Sequence, residues 1–253
     1  MSNNQSRTAL ITGAARGIGL ETARRFCTAG WQVFGIDNDA TALADAAAAL
    51  PAMQTAVVDV SSESQVVELR NRLMANNEEL HALINNAGIA DFGPLQDTAF
   101  DTWRNIMATN LDGPFLMTQT FTESLSAARG AVVNVTSISG LRASTLRVAY
   151  GTSKAALAHL TAQQAVELGE IGIRVNAVAP GPVDTAMATK VHTPAIRSAY
   201  HDAIPLNRYG LEQELAAAIF FLCSEEASYI TGQQLAVDGG FSAVGVGLPD
   251  LRA

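Results

Sequence analysis

A tyrosine and a lysine stand four residues apart, at Tyr150 and Lys154, where an Ala-rich run with the composition of a helix begins. At this spacing the two side chains share one helical face. An ammonium beside a phenol stabilises the phenolate, so the pKa of Tyr150 is expected to fall below its unperturbed value of about 10. Such a tyrosine is a general acid and base near neutral pH. A solvated helical pair without a function is the alternative, and the rest of the chain must decide.

A Gly-rich turn follows the first apolar run and opens the first predicted helix. Its glycines, Gly13, Gly17 and Gly19, have the spacing G-x-x-x-G-x-G. They permit a tight turn and the close approach of a pyrophosphate to the amides at the N-terminus of a helix. A purely structural turn is the alternative.

Asp37 ends the second apolar run, 24 residues after Gly13. A carboxylate at this place can accept hydrogen bonds from both hydroxyls of an adenosine ribose and repels a 2′-phosphate. The alternative is a turn residue or a helix cap, although neighbouring Asp39 is the better candidate for the cap. Together the turn and Asp37 favour a dinucleotide site.

Short apolar strands alternate with helices along the whole chain. Strands of about five residues that are apolar throughout are typical of a parallel sheet covered on both faces. The prediction is a single α/β domain over residues 1–253, a Rossmann-type doubly wound parallel sheet of about seven strands. The predicted strands are 8–11, 31–36, 55–58, 80–84, 131–135, 174–178 and 234–237, and the helices 18–28, 40–50, 62–74, 100–125, 150–168 and 211–223.

Composition restricts the class of protein. Hydrophobic residues make up 48% and charged residues 16% of the chain, which fits a large core and not a disordered protein. The net charge of −8 disfavours nucleic acid and anionic membranes as partners. No signal peptide or membrane span is predicted. Cys27 and Cys223 are expected to be free thiols, which favours a cytoplasmic location, and the histidines lack metal-ligand spacing, so no metal is expected.

Seven motifs occur in an order and at a spacing that resemble the short-chain dehydrogenase/reductase family, over about residues 7–240. Ser137 precedes Tyr150 by 13 positions, the interval usual in that family. The motifs are Thr12-Gly13 with Gly17 and Gly19, Asp59-Val60, Asn85-Asn86-Ala87-Gly88, Asn110, Ser137, Tyr150 with Lys154, and Pro180-Gly181.

The resemblance implies a proton-relay site made of Asn110, Ser137, Tyr150 and Lys154. Tyr150 would exchange a proton with the substrate oxygen while a hydride moves to or from a nicotinamide. Ser137 would hydrogen-bond that oxygen as charge develops on it, and Lys154 would also hydrogen-bond the nicotinamide ribose. Asn110 would hold a water that links Lys154 to solvent, and a helix kink or a buried hydrogen-bonding role is its alternative.

The resemblance also implies a set of cofactor contacts at the carboxyl ends of the parallel strands, where open α/β sheets bind ligands. Asp59 and Val60 would meet the adenine ring, and Val183 or Thr185 the carboxamide. The full predicted set is Gly13, Arg16, Gly17, Ile18, Gly19, Asp37, Asp59, Val60, Asn86, Ala87, Gly88, Tyr150, Lys154, Pro180, Gly181, Val183 and Thr185.

Arg16 is the residue that argues against NAD as the cofactor, because some NADP-preferring relatives carry a basic residue there that meets the 2′-phosphate. Asp37, however, would lie nearer the ribose, and Asn38 rather than an arginine follows it. A carboxylate beside a phosphate is unfavourable, whereas Arg16 can turn to solvent or pair with a carboxylate. The expected cofactor is therefore NAD.

Residues 182–208 interrupt the alternation and are expected to form a substrate loop or lid. Within them His192 and His201 either touch substrate or face solvent, and Asp91 and Phe92 after the fourth strand are similar candidates.

The apolar tail, residues 241–253, is expected to pack against a neighbouring subunit. In relatives, the helices equivalent to residues 100–125 and 150–168 pair across a two-fold axis. A homotetramer is therefore expected.

The predicted function is the NAD-dependent interconversion of a secondary alcohol and a ketone, with a small neutral polyol, sugar or hydroxy compound as substrate. The alternative enzyme is an NADPH-dependent 3-oxoacyl thioester reductase, which Arg16 favours and Asp37 disfavours. The alternative outside enzymes is a cofactor-sensing binding protein, which would have no need of Ser137, Tyr150 and Lys154.

Overall fold

A computed structural model describes residues 7–73, 79–185 and 192–245. Seven strands form one sheet in the order β3-β2-β1-β4-β5-β6-β7, and every pairing is parallel. The predicted doubly wound sheet is thus confirmed, and the strand order reverses between β1 and β4, where such sheets bind ligands. The strands are β1 Thr8–Thr12, β2 Gln32–Asp37, β3 Met53–Val57, β4 Ala82–Asn85, β5 Ala131–Val135, β6 Arg174–Pro180 and β7 Gln234–Val237.

Helices cover both faces of the sheet. They are α1 Gly17–Thr28, α2 Ala40–Ala49, α3 Glu63–Leu73, α4 Phe100–Met107, α5 Gly113–Ala128, α6 Ile138–Leu141, α7 Val148–Gly169, α8 Pro194–Ala203 and α9 Glu212–Cys223. Helices α1, α2 and α9 contribute to the core on one face, and α3, α5 and α7 to the core on the other.

The central strands are apolar because they are buried on both faces. In β1, Ala9 and Ile11 belong to the core shared with α1 and α9, whereas Leu10 between them belongs to the core shared with α3 and α5. The largest fully buried side chains include Phe26 of α1 and Phe121 of α5, one in each core. Burying each such ring stabilises the fold by roughly 1.5–3 kcal/mol, and together the two cores fix the strand ends that carry the site.

The helical stretch predicted over residues 100–125 is interrupted by a π-helical turn, Ala108–Asp112, between α4 and α5. The sequence supplies a reason in Pro114, which has no N–H to donate to the carbonyl of Asn110, the bond that an unbroken α-helix would make there. The turn therefore places Asn110 at an irregular point of the backbone. The sequence did not predict this turn.

The described part of segment 182–208, where a loop or lid was expected, contains a regular helix, α8. Thr193 caps it by accepting a hydrogen bond from the amide of Ile196, with Pro194 at the first helical position. Residues 186–191 of the predicted lid and 246–253 of the predicted tail lie outside the described residues.

Membrane-spanning helices and metal-ligand clusters are both absent from the part of the chain that the structure describes. There is no helix there long and apolar enough to cross a membrane. No three His, Cys, Asp or Glu side chains are grouped there to hold a metal ion. Cys27 and Cys223 are both free.

Candidate active site

A cleft of about 630 Å³ opens at the carboxyl ends of the parallel strands. Of the site residues predicted from the sequence, all except Gly19 and Asn110 line it. The structure thus brings together residues that lie far apart in the chain: Gly13, Arg16, Gly17, Ile18, Asp37, Asp59, Val60, Asn86, Ala87, Gly88, Ser137, Tyr150, Lys154, Pro180, Gly181, Val183 and Thr185.

The Gly-rich turn packs so closely that side chains are excluded from it. Gly13 has a φ of +66°, which favours glycine, and a Cβ there would lie 2.8 Å from the Cα of Ala87. A Cβ on Gly19 would lie 2.0 Å from the carbonyl oxygen of Gly13. The turn therefore presents its backbone at the N-terminus of α1, which is what a pyrophosphate-binding site requires.

Replacing Gly19 by alanine is expected to weaken dinucleotide binding at least tenfold and to cost about 1–3 kcal/mol of folding free energy, because the turn must open to admit the methyl group. Fluorescence titration with NADH and chemical denaturation measure the two effects. Gly169→Ala is the matched control, since a Cβ at the end of α7 meets nothing within 4 Å. Unchanged affinity and stability in Gly19→Ala would contradict the close packing of the turn.

Asp37 lies at the end of β2 and faces the cleft. One of its carboxylate oxygens accepts a hydrogen bond from the amide of Ala15 at 3.2 Å, and the other from the amide of Asp39 at 3.0 Å. Asp37 is thus fixed to the Gly-rich turn by backbone donors, and no arginine or lysine among the described residues forms an ion pair with it.

Arg16 forms its ion pair with Asp39. Asp39 also caps α2 by accepting a hydrogen bond from the amide of Ala42 at 3.0 Å, so it is the cap, as predicted. These contacts, the backbone bond first and Arg16 second, lower the pKa of Asp39. The pairing predicted as one possibility for Arg16 is therefore the one observed.

The ends of β1 and β4 are joined by Thr12. Its hydroxyl oxygen accepts hydrogen bonds from the amides of Asn86 at 3.0 Å and Ala87 at 2.9 Å. The side-chain amide of Asn86 returns two bonds, to the carbonyls of Thr12 and Gly13, each 3.0 Å long. This clamp holds the floor of the cleft against the Gly-rich turn at the point where the strand order reverses.

Asp59 and Val60 line the cleft after β3, near Asp37, whose carbonyl accepts a hydrogen bond from the amide of Val58. One carboxylate oxygen of Asp59 accepts hydrogen bonds from the amide and the hydroxyl of Ser61, at 2.9 and 2.7 Å. Val60 is buried against Gly113. This end of the cleft combines an apolar wall with three carboxylates, those of Asp37, Asp39 and Asp59.

Tyr150 and Ser137 meet in the other half of the cleft. Ser137 follows β5 and caps α6 by accepting a hydrogen bond from the amide of Ser139 at 3.1 Å, and its side chain interacts with the phenol of Tyr150 in the sense that lowers the pKa of that phenol. The ring of Tyr150 packs edge-on against Phe92, with 6.2 Å between centroids. The phenol therefore has a fixed direction and a polar partner at its oxygen.

Lys154 lies one helical turn after Tyr150 and is only 4% exposed. Its ammonium donates a hydrogen bond to the carbonyl of Val135 at 2.8 Å and lies 5.9 Å from the centre of the Tyr150 ring. Burial lowers the pKa of Lys154 to about 8. The shared helical face that the spacing predicts is present, and the ammonium is buried rather than solvated.

The expected direction of the Tyr150 pKa was wrong. Burial raises the pKa of the phenol, and the Ser137 hydrogen bond and the charge of Arg147 offset only part of that rise. The prediction considered a neighbouring ammonium alone, whereas the loss of water around the phenol is the larger effect. Arg147, which no motif contains, supplies the positive charge that lowers this pKa.

Asn110 holds two segments together with its buried side chain. The oxygen of its amide accepts a hydrogen bond from the amide of Ile89, and the nitrogen donates to the carbonyl of Ile89 and to the hydroxyl of Ser153, at 2.9 to 3.0 Å. A Cβ on Gly88 would lie 3.3 Å from both the Asn110 oxygen and the Lys154 nitrogen. The buried hydrogen-bonding role left open by the sequence is thus observed, beside Lys154.

The wall beyond Tyr150 contains residues that the motifs did not indicate. It also contains two of the four substrate-contact candidates named from the sequence. Phe92 and His192 line the cleft, whereas Asp91 and His201 do not. Arg147 is the N-cap of α7, three residues before Tyr150, and its closeness in sequence to Tyr150 was the available signal. Among the described residues, the lining not predicted from the sequence includes Ser139, Ser144, Arg147 and Phe241.

Comparison with known proteins agrees with this arrangement. A family model described as enoyl-(acyl carrier protein) reductase matches residues 13–242. Galactitol 2-dehydrogenase (L-tagatose-forming) of Cereibacter sphaeroides is 40% identical over 92% of this chain and 94% of its own. A 3-oxoacyl-(acyl-carrier-protein) reductase of Chlamydia trachomatis is 35% identical over 94% and 98%.

A solved structure extends the likeness to three dimensions. The gluconate 5-dehydrogenase of Burkholderia cenocepacia, in complex with NADP and tartrate, superposes with a TM-score of 0.89 at 32% identity, over 94% of this chain and 96% of that one. The relatives and the solved structure match more than nine-tenths of this chain. The chain belongs to the short-chain dehydrogenase/reductase family.

Proposed function

We propose that the protein is an NAD(H)-dependent oxidoreductase that interconverts a secondary alcohol and a ketone within a single domain. The observation that carries this proposal is the position of Tyr150 beside Ser137 and one helical turn from the buried Lys154, in a cleft that also contains the Gly-rich turn and Asp37. A phenol, a hydroxyl and a buried ammonium are the groups that proton transfer to or from a substrate oxygen requires.

Nicotinamide dinucleotide, when bound, accepts the hydride from the carbinol carbon or returns it to the ketone. In oxidation, Tyr150 takes the hydroxyl proton of the alcohol as the C=O bond forms. In reduction, the same phenol gives its proton to the ketone oxygen. Ser137 donates a hydrogen bond to that oxygen where negative charge develops, and Lys154 would hydrogen-bond the nicotinamide ribose. Asn110 positions the segment after β4 against α7. The water that would link Lys154 to solvent, and so carry the proton away, would lie beside it.

The residues present fit a dinucleotide. The turn leaves no space for a Cβ at Gly13 and Gly19, and it presents backbone at the start of α1, as a pyrophosphate site requires. Asp37 would accept hydrogen bonds from the adenosine ribose, and Asp59 and Val60 would flank the adenine. The remaining contacts are assigned to Asn86, Ala87, Gly88, Lys154, Pro180, Gly181, Val183 and Thr185, which line the same cleft.

NADH is expected to bind at least about tenfold more tightly than NADPH, because a 2′-phosphate would approach the carboxylates of Asp37 and Asp39. Arg16, the one cation at that end of the described cleft lining, is already paired with Asp39. Asp37→Asn removes one negative charge. It should reduce the ratio of NADH affinity to NADPH affinity, chiefly by strengthening NADPH binding. Nicotinamide fluorescence in parallel titrations measures both constants.

Asp45→Asn is the matched control, since Asp45 is an exposed residue of α2 that does not line the cleft. It removes the same charge from the protein and should leave the preference unchanged. Tighter binding of NADPH by the wild-type protein would overturn the choice of NAD. It would also show that the ion pair of Arg16 opens in favour of a phosphate.

An NADPH-dependent 3-oxoacyl thioester reductase is the second candidate, favoured by the C. trachomatis relative and by the acyl-carrier description of the matching family model. The dehydrogenases of small polyhydroxy compounds among the relatives favour the first candidate. Nicotinamide absorbance separates the two. Oxidation of secondary alcohols with NAD supports the first, and reduction of a 3-oxoacyl thioester with NADPH supports the second.

The homotetramer remains a prediction, and so does the cytoplasmic location. Phe115 on α5 is 44% exposed and Val166 on α7 is 74% exposed in the single chain. Large apolar side chains on these two helices support the proposed pairing across a two-fold axis.

A further inference from the structure

Arg147 lies at the N-terminus of α7, partly buried in the wall of the cleft beyond Tyr150. Its guanidinium stacks on Phe92, with 4.6 Å from the central carbon to the ring centre. One of its nitrogens lies 3.5 Å from the hydroxyl of Ser139, the outer limit of a hydrogen bond. The side chain is thus held by an aromatic face and a weak contact, with donors left for another partner.

No carboxylate of residues 7–73, 79–185 or 192–245 forms an ion pair with Arg147. This contrasts with Arg16, the other arginine in the described lining of the cleft, and with Arg197 of α8. Arg16 pairs with Asp39, and Arg197 pairs with Asp184 at 3.0 Å. The described acidic residues that line the cleft, Asp37, Asp39 and Asp59, all follow β2 and β3, at the far end. A guanidinium removed in part from water without an anion is unfavourable, so a site of this kind gains from an anionic ligand.

The backbone before Arg147 is strained. Leu146 has a φ of +62°, a backbone conformation that a residue with a bulky side chain rarely adopts. Its side chain is 49% exposed, so burial of the leucine does not explain the strain. The carbonyl of Leu146 accepts a hydrogen bond from the amide of Gly93, next to Phe92. The loop is therefore fixed to the segment on which Arg147 stacks, in a conformation that directs the arginine along the cleft wall.

We propose that Arg147 binds a carboxylate of the substrate, so that the protein acts on hydroxy acids and the corresponding keto acids rather than on neutral polyols. The inference rests on the proposed function and narrows its substrate class. Because Arg147 is the N-cap of α7 and Tyr150 lies in the first turn of that helix, with both residues lining the cleft, the acid group and the reacting oxygen would lie close together on this wall. Ser139, Ser144 and His192, which line the same wall, can donate further hydrogen bonds.

A single arginine fits a carboxylate better than a phosphate group. A planar carboxylate accepts two parallel hydrogen bonds from a guanidinium. Arg147 is the one arginine of the described lining in this half of the cleft, since Arg16 lies at the opposite end, and the buried ammonium of Lys154 donates to the carbonyl of Val135. Burial, with the charges of Arg147 and Arg197, lowers the pKa of His192, so that His192 is neutral at pH 7 and adds no second charge.

Arg147 has a possible second role, because its charge also lowers the pKa of Tyr150. If this were its only role, Arg147→Met would reduce the turnover of every substrate and move the pH dependence of the rate. A carboxylate site predicts a different result: the loss falls on the binding of acids and spares neutral compounds. The two roles are separated by comparing acids with polyols of the same carbon skeleton.

The test is calorimetric titration of the protein saturated with NADH or NADPH, whichever binds more tightly. The ligands are tartrate against threitol and gluconate against glucitol. With a reduced cofactor no alcohol is oxidised, so the titration measures binding alone. At least one acid is expected to bind at least about thirtyfold more tightly than its polyol. Arg147→Met should abolish that difference, and Arg147→Lys, which keeps the charge, should retain part of it.

Arg104→Met is the control, because Arg104 is an exposed arginine of α4 outside the cleft lining. It should leave the acid preference unchanged, and thermal unfolding of each variant checks that it folds. No preference for either acid, or equal weakening of acid and polyol in Arg147→Met, would overturn the inference. If acids bind through Arg147 but no alcohol is oxidised with either cofactor, the carboxylate site stands and the proposed function fails.

Discussion

Tyr150→Phe is expected to lower the rate of alcohol oxidation by about 10²–10⁴-fold, which is the usual contribution of a general acid or base. The change removes one oxygen and keeps the ring, so the packing against Phe92 remains. The Gly-rich turn, Asp37 and Lys154 are untouched. Cofactor affinity should therefore stay within a few-fold of the wild-type value, measured by nicotinamide fluorescence, while turnover measured by nicotinamide absorbance is lost.

The pH dependence of the wild-type rate follows from the same phenol. Tyr150 must lose its proton before it can take one from the alcohol, and burial raises its pKa. Oxidation should therefore increase with pH from about 6 to 10, by up to about tenfold per unit where proton loss limits the rate. A flat profile would contradict the assignment of Tyr150 as the base.

Tyr229→Phe is the matched control, since Tyr229 is fully exposed to solvent and does not line the cleft. It removes the same hydroxyl type and should leave the rate unchanged. Equal turnover in Tyr150→Phe and the wild-type protein would refute the proposed mechanism. Cofactor binding without turnover of any alcohol or ketone by the wild-type protein would instead favour the cofactor-sensing alternative.

The sheet was predictable because parallel strands buried on both faces are apolar in the sequence itself. The predicted bounds of β5 and β7 agree with the structure to the residue, and the helix of Tyr150 begins two residues earlier, at Val148. The π-helical turn at 108–112 was not predicted. A proline in the first turn of a helix is common, so the sequence gives no warning at Pro114. Its missing N–H interrupts the backbone hydrogen bonds only because α5 follows directly on α4 through the π-helical turn.

The site was predictable where a role depends on a short local pattern. Asp39 was identified as a cap because a cap requires only an oxygen at the right place before a helix. The identity of the Arg16 partner, the strained Leu146 and the unpaired state of Arg147 depend on chain segments that meet only in the fold. The pKa of Tyr150 was predicted in the wrong direction for the same reason, since its burial is a property of the whole cleft.

Lys154→Met is expected to abolish turnover and yet to stabilise the protein at pH 7. Burial alone lowers the pKa of Lys154 from 10.5 to about 8, which means that the fold disfavours its charged form. Methionine is of similar length and apolar. The difference between the two pKa values corresponds to about 3 kcal/mol of folding free energy at pH 7. Against this, the carbonyl of Val135 loses its donor, at a cost of about 1–2 kcal/mol.

The sign of the pH effect distinguishes this account from a simple packing change. Between pH 8 and 10.5 the unfolded wild-type chain holds the proton of Lys154 more tightly than the folded one, so wild-type stability gains from this group as pH rises. The advantage of Lys154→Met should therefore shrink across that interval and vanish near pH 10. The raised pKa of Tyr150 affects both proteins alike, since both lose stability as that phenol deprotonates at higher pH.

Chemical denaturation of both proteins at about pH 7, 8.5 and 10 measures the effect as a difference in free energy of unfolding. Arg104→Met, which removes an exposed cation, should run parallel to the wild-type protein at every pH. A constant difference between Lys154→Met and the wild-type protein would contradict the burial of a charged ammonium. A decreasing difference would show that the fold retains a destabilising lysine at the position where the proposed chemistry requires one. Lower stability in return for activity is what is expected of a catalytic group.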